Sequence, residues 1–381
     1  MMKRKAILLT ALLSLVALAR PEVARGQRMF KSNQPDRTID AATRSGVIDS
    51  LLKQLNENYV FPDTARKMEQ AIRGRAAEHE YDSVTSAKSF AKLLTDHLQA
   101  VSHDKHLRVY YSAESLPVEP KRTGPTPEER AKMRDFLSAM NFGFEKVEHL
   151  DGNVGYLDLR AFAPPDMAGE TAAAAINLLA NSDALILDLR RNGGGHPGMV
   201  ALVCSYLFPA APTVHLNDIY ERPDNSTRQW WTVSYLPGTR FANKPVYVLT
   251  SKRTFSAAEE CTYNLKNLKR AVIVGETTGG GAHPGDLRRI DDHFSAFVPS
   301  GRAINPITKT NWEGTGVAPD IAVPADLALK TAHLAALDKV AERRKGMPDR
   351  LEDIKKAKIK VQKELDELKS KQSSQASSAK P

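Results

Sequence analysis

Cysteine is nearly absent, with two residues in 381, Cys204 and Cys261. That excludes a disulfide-dense scaffold. Neither has a second ligand at zinc-like spacing, so no metal site is expected from them. Each sits in an apolar helical pattern that suits a buried thiol as well as a bridge, and their pairing stays open. Long hydrophobic runs are also missing: after residue 20, nothing approaches the about 20 apolar residues of a membrane-spanning helix. The one apolar run, Ala6 to Ala19, is too short to span a bilayer comfortably. It follows Lys3, Arg4 and Lys5 and ends in Ala17-Leu-Ala19, as a signal peptide over residues 1–19 does. No cysteine follows it to carry a lipid. The expectation is an exported chain, periplasmic or extracellular, without stable membrane insertion.

A basic face is lacking too. The net charge of +9 is concentrated at the ends, with 12 Lys/Arg against 7 Asp/Glu from Ala341 onward. The body between is close to neutral, which argues against a nucleic-acid partner.

What is present is about 41% hydrophobic residues, enough for a sizeable core. After a polar leader over residues 20–37, Val47, Leu51, Leu55 and Tyr59 recur at helical spacing. Pro62-Asp63 can open a second helix, and Phe90, Leu93, Leu94 and Leu98 mark a third. With a strand at Leu107–Tyr111, these form an N-terminal helical subdomain over residues 38–112. Residues 113–140, rich in proline and charge, read as a linker. From Asn153 strands and helices alternate, with strands at 154–159, 184–189, 246–250 and 271–275, and helices at 168–180, 198–207 and 256–268. This predicts an α/β core with parallel strands over residues 141–325. Phe294–Val298 and Ala303–Ile307 read as a hairpin. Helices are expected within residues 326–370, and a disordered Ser/Lys/Gln tail over 371–381.

Two segments carry chemistry. In Asp188-Leu-Arg-Arg-Asn-Gly-Gly-Gly-His196 a strand runs into three glycines and a helix opening at Pro197. Glycines expose backbone N–H groups and the helix start adds positive partial charge, which makes an anion or oxyanion site. A phosphate loop would need a Lys-Ser/Thr that is absent. In Thr250-Ser-Lys-Arg-Thr-Phe-Ser256 a strand leads to Ser256 at a helix start. A capping box with Glu259 accounts for such a serine; so does a nucleophile. It is not a Gly-x-Ser-x-Gly elbow, because Thr254 and Ala258 stand at the glycine positions.

Asp188 to Gly195, Ser251 to Glu260, Val274-Gly-Glu-Thr-Thr-Gly-Gly-Gly281 and Gly314-Thr-Gly-Val-Ala-Pro-Asp320 occur in that order. Together they resemble the tail-specific or C-terminal-processing peptidases, family S41. The nearer likeness is to the branch of interphotoreceptor retinoid-binding protein and the tricorn core. The resemblance covers roughly residues 39–337. It implies a crotonase-like or ClpP-like α/β spiral core and a serine nucleophile at Ser256. The oxyanion hole would come from the N–H of Ala257 and of a glycine among Gly193–Gly195, with Gly194 favoured.

The processing peptidases use a lysine base in a motif whose counterpart here, Thr277-Thr-Gly-Gly-Gly-Ala-His283, has none. The tricorn-like branch takes a histidine from an Asp-x-His motif, matched by Asp104-Lys-His106. His106 is therefore the expected base, with His103 its competitor. Glu313, just before the Gly-Val-Ala-Pro-Asp motif, is expected to orient the imidazole. Gly193, Gly195, His196, Gly280 and His283 are expected to touch substrate. About 30 residues of linker cannot hold a PDZ domain, since modules of that kind need closer to about 90. The expected activity is peptide-bond hydrolysis through an acyl-enzyme, on peptides or unfolded proteins, without cofactor or metal. The alternative is a non-catalytic binder of a hydrophobic ligand or peptide on the same fold. An acyl-CoA enzyme fits export poorly. Association through the C-terminal helices is left open.

Overall fold

The computed structural model describes residues 34–118 and 125–378. The expected signal peptide and most of the leader lie outside the described residues. In chain order the elements are α1 (Ala41–Asn58), α2 (Pro62–Ala77), α3 (Ala87–Ser102), β1 (Arg108–Tyr111), α4 (Pro127–Ser138), β2 (Phe144–Leu150), β3 (Val154–Leu159), α5 (Pro165–Leu178), β4 (Ala184–Asp188) and α6 (Pro197–Ser205). There follow β5 (His215–Glu221), β6 (Ser226–Trp231), β7 (Val246–Thr250), α7 (Ala257–Asn267), β8 (Val272–Gly275), β9 (Gly285–Arg289), β10 (Phe294–Pro299), β11 (Gly301–Ile304), β12 (Ile321–Ala322), α8 (Ala325–Arg343) and α9 (Pro348–Ser378). The chain divides into two compact units. The first takes residues up to Asp135, Asn217–Gln229 and Gly280–Gly314; the second takes Phe136–Leu216, Trp230–Gly279 and Thr315 onward.

The first unit is held by helix starts written locally. Asp40 accepts the Thr43 N–H at 2.8 Å, Pro62 opens α2, and Ser86 accepts the Ser89 N–H at 3.0 Å. Such caps satisfy donors that the first turn leaves orphaned. The apolar stripes of α1, α2 and α3 (Leu51, Leu55, Met68, Phe90, Leu94, Leu98) pack with Val109, Phe294 and Val298 from the antiparallel sheet β1-β10-β9. His103 closes α3 in the left-handed region at φ 56°. That sharp exit brings Asp104 and His106 onto the turn into β1.

The second unit is built on a six-stranded sheet in the order β12-β8-β7-β4-β3-β2. β2 pairs antiparallel with β3, and the remaining pairings are parallel. Every residue of β3, β4 and β7 is buried, as a sheet covered on both faces requires. Tyr156, Ile186, Leu249 and Val274 pack on the alanine-rich stripe of α8, and Ile354, Ala357 and Val361 of α9 join the same core. Cys204 on α6 and Cys261 on α7 are buried thiols with sulfurs 3.9 Å apart.

The α/β class and the three N-terminal helices agree with expectation. Three local readings do not. Residues 113–140 contain α4, whose helix is carried by only Met133 and Leu137 as buried apolar residues. The helix of the C-terminal extension runs on to Ser378, into the stretch expected to be disordered. The expected hairpin of residues 294–307 is two strands in two sheets: β10 pairs with β1 and β9, and β11 pairs with β5.

Burial along α9 is sharply one-sided, and this yields a paired prediction. Val361 is 1% exposed and Ile359 64% exposed. Val361→Asp would bury an unpaired carboxylate and should destabilise the protein by more than about 3 kcal/mol. Ile359→Asp should stay within about 0.5 kcal/mol of the parent. Urea unfolding of the two variants checks this; equal stabilities would contradict the packing of α9 on α8.

Candidate functional site

β4 and β7 are parallel neighbours with Asp188 opposite Leu249, so their carboxyl ends lie level. Each runs into a loop and then a helix, α6 after residues 189–196 and α7 after 251–256. The loops are tied together. Thr254 Oγ1 donates to Leu189 O at 2.9 Å, Ser251 Oγ to Arg190 O at 2.6 Å, and Phe255 N–H to Asn192 O at 3.1 Å. Beneath them the Arg190 guanidinium holds Asp188, and Tyr156 donates to Asp188 at 2.8 Å. Crevices at the carboxyl ends of parallel strands are the usual place for ligands in open α/β sheets.

Ser256 opens α7 at φ 57°, ψ −123°. An N-cap serine ordinarily has extended backbone, and a non-glycine residue in this region carries strain of about 1–3 kcal/mol. The Glu259 carboxylate accepts the Ser256 N–H at 2.9 Å and is itself fixed by the Thr278 hydroxyl. The N–H of Ala257 has no acceptor among the described residues. It points out of a helix start where the dipole favours negative charge.

Gly194 packs against this turn at φ 113°. A Cβ there would sit 2.8 Å from Ser256 Cβ and 3.1 Å from Ala257 N. Its N–H, however, donates to Asn192 Oδ1 at 2.8 Å, and the other end of Asn192 donates to Leu159 O. The Gly194 N–H, expected as an oxyanion donor, is thus engaged within its own loop in this structure. Its missing side chain gives the close approach, while the N–H groups of Gly193 and Gly195 have no acceptor among the described residues. Gly195 also abuts Phe162, where a Cβ would meet the Phe162 carbonyl at 2.2 Å. His196 caps α6, its Nδ1 accepting the Gly198 N–H at 3.0 Å.

The remaining expected site residues belong to the first unit. Asp104 is fully buried. It accepts the His106 N–H at 3.0 Å, the Tyr59 hydroxyl at 3.1 Å and His283 Nδ1 at 2.8 Å. Burial raises its pKa, but the hydrogen bond and charge of His283 outweigh that and hold it below the usual range. His283 Nδ1 also lies 3.5 Å from Glu313 Oε2, and Glu313 accepts the Ala282 N–H. Burial disfavours the His283 cation, yet the two carboxylates prevail and raise its pKa. His106 is buried with its ring stacked on Phe297, centroids 5.9 Å apart. Burial is the largest influence on it and brings its pKa down to about 4, with Asp104 opposing and His283 and Arg108 assisting.

His283, expected against substrate, is thus an interior residue paired with Asp104. Gly280 is buried, and its carbonyl accepts the Gly314 N–H at 3.2 Å. This contact and the Trp312 Nε1 bond to Gly281 O (2.7 Å) zip residues 280–283 to 312–314. His103 is exposed at the end of α3. Sequence reasoning passed over Asn192 and Asp104. The Asp-x-His spacing was a signal for Asp104; nothing local singled out Asn192. Donor atoms of Asp104, His283 and Glu313 lie within 4.8 Å of one another and could share a cation; hydrogen bonds already account for that closeness.

Two helix starts at the carboxyl ends of neighbouring parallel strands, one opened by a strained serine, define an α/β protein of the kind that presents a side chain from a strand-to-helix turn. Residues 153–323 match the profile of Peptidase family S41, and residues 41–140 that of the N-terminal domain of Peptidase_S41 in eukaryotic IRBP. The chain belongs to the S41 peptidase family.

Among curated relatives, the chloroplastic carboxyl-terminal-processing peptidase 2 of Arabidopsis thaliana is 27% identical over 179 residues, 45% of this chain and 32% of that protein. The match therefore spans about a third of that relative's length. A lipoprotein from Streptococcus agalactiae shares the fold with TM-score 0.53 and 13% identity, covering 78% of this chain and 96% of that one. Mature CPAF does so with TM-score 0.50 and 12% identity, covering 82% and 99%. Among the described residues, no helix is long and apolar enough to cross a membrane.

Asn192 sets the glycine loop, so Asn192→Ala should leave the buried Gly194 N–H unpaired, at a cost of about 1–3 kcal/mol. Gly194→Ala should displace the Ser256 turn more severely. Denaturant midpoints for both variants test this, and a Gly194→Ala protein as stable as its parent would contradict the close approach.

Proposed function

We propose that the chain is a serine peptidase that cleaves peptide bonds through an acyl-enzyme formed on Ser256. The observation that carries this is the strained backbone of Ser256, beside a glycine loop and an uncommitted Ala257 N–H. A cap alone gives no reason to keep a serine at φ 57°. In the proposed reaction Ser256 Oγ attacks the scissile carbonyl. The Ala257 N–H and one N–H of the 193–195 loop receive the developing oxyanion. Each such donor contributes about 3–4 kcal/mol to lowering the barrier.

For the base we propose His106, which the reaction requires to come within hydrogen-bond reach of Ser256. The two buried histidines have opposite chemistry. His283 has its Nδ1 engaged by Asp104 and is pushed toward its protonated form by two carboxylates, which makes it the poorer proton acceptor. His106 is held neutral and can accept a proton, and Asp104 beside it favours the imidazolium that then forms. Glu313 acts in this scheme as the carboxylate that balances the charge of the histidine pair. Peptides or unfolded proteins are the proposed substrates. We also place the protein outside the cytoplasm, on the basic and apolar pattern of residues 1–19.

A fluorophosphonate probe tests the nucleophile: labelling of the parent and none of Ser256→Ala is the expected result. Equal labelling would remove Ser256 from the mechanism. A parent that takes no probe but retains a hydrophobic ligand would favour the non-catalytic binder. The base has a pH signature. A base works deprotonated, so activity is lost as pH falls through its pKa. With that pKa lowered to about 4, kcat/KM should stay level from pH 8 to about pH 5 and fall below that. An acid limb centred near the ordinary histidine value of about 6.5 would exclude His106 in this environment.

A further inference from the structure

His283 emerges as a residue with a place in the site but no step in the proposed reaction. Its Nδ1 bonds Asp104 Oδ2 at 2.8 Å and lies 3.5 Å from Glu313 Oε2. Its ring meets Phe61 edge-on, with centroids 5.3 Å apart. The second oxygen of Asp104 accepts the backbone N–H of His106 at 3.0 Å. One imidazole nitrogen thus stands between two buried or half-buried carboxylates, one of which fixes the backbone of the proposed base. Arg302 and the Tyr59 hydroxyl also act on this cluster.

Without a donor at that nitrogen, Asp104 and Glu313 would face each other as like charges with oxygens within 4.8 Å. They would separate, and each carries something with it: Asp104 the turn of His106, Glu313 the Ala282 N–H contact.

We infer that His283 is a positioning residue of the proposed peptidase: its Nδ1–H bridges Asp104 to Glu313 and so sets the attitude of His106. This rests on the reading of Ser256 and His106 given above. It differs from the substrate contact expected from the glycine-rich sequence around His283, since a substrate contact would act through binding. A positioning residue acts on the chemical step.

The test uses the full chain with His283→Ala and His283→Asn. Asparagine keeps an N–H where Nδ1 stands. The readouts are the fluorophosphonate labelling rate, kcat and KM on a cleaved peptide, and the downfield imidazole N–H proton resonance by NMR. His283→Ala should lower the labelling rate and kcat about 100-fold, as misplacement of a catalytic group by about 1 Å does, with KM little changed. His283→Asn should recover at least about tenfold of that, which a loss of ring packing would not allow. The downfield resonance should be present in the parent and absent in both His283→Ala and Asp104→Asn. If His283→Ala fails to fold, His283→Asn against the parent decides, together with the resonance.

Overturning results are a His283→Ala labelling rate within about twofold of the parent, a defect confined to KM, or an asparagine variant no better than alanine. A parent that takes no probe overturns the peptidase reading and this inference with it. A labelled parent with an unaffected His283→Ala overturns this inference alone.

Discussion

The parallel pairing of β4 with β7 is the constraint on which the second unit's chemistry depends. Because Asp188 lies opposite Leu249, both strands end at the same height. Slippage by one residue would exchange the faces of every side chain and separate the two loops. With the register kept, three hydrogen bonds cross from one loop to the other, from Ser251, Thr254 and Phe255. Each contributes about 1 kcal/mol net. That sum is of the size needed to offset the strain of Ser256, about 1–3 kcal/mol. The serine can therefore keep an unfavourable backbone without destabilising the turn, so long as both strands hold.

In the first unit the corresponding constraint is the buried charge of Asp104. Burying a carboxylate costs several kcal/mol unless it is paired and hydrogen-bonded. Asp104 has three donors, from Tyr59, the His106 backbone and His283. Those partners come from the residue that follows α1, the turn after α3 and the segment before β9, so one carboxylate ties together distant stretches of chain. The same charge sorts the histidines. His283 touches it directly and is shifted toward its cationic form. His106 meets it through the backbone, keeps a ring stacked on Phe297, and is pushed by burial toward its neutral form.

Much of this was legible in the sequence where the signal is local. Strands 154–159, 184–188 and 246–250 announce themselves because both faces are buried and the runs are continuously apolar. α1 and α3 do so through their periodic stripes. What failed is non-local or thin. Phe294–Pro299 and Gly301–Ile304 are strands, but their partners are β1, β9 and β5, and no short-range pattern says so. α4 has two buried apolar residues among charged ones, too few to distinguish it from a linker. At the site, the glycine loop was readable as a donor loop. Which N–H remains uncommitted was not, because that is decided by the Asn192 side chain reaching back to Gly194. His283 looked like a substrate residue because glycines surround it. Its partner Asp104 lies 179 positions away in the chain.

The capping box around Ser256 shows why local sequence evidence by itself favoured a cap. Ser256 and Glu259 stand at the spacing of a box, and Glu259 does accept the Ser256 N–H. A helix start that needed only a cap would place its serine in extended backbone. Here the serine is turned to φ 57°, and Gly194 is pressed so close that a Cβ would lie 2.8 Å from Ser256 Cβ. The strain falls on Ser256 and the close approach on Gly194, and neither improves the cap. They do direct the Ser256 turn and the Ala257 N–H to the same side as the glycine loop. A nucleophile and its oxyanion donors need that arrangement in advance of the reaction.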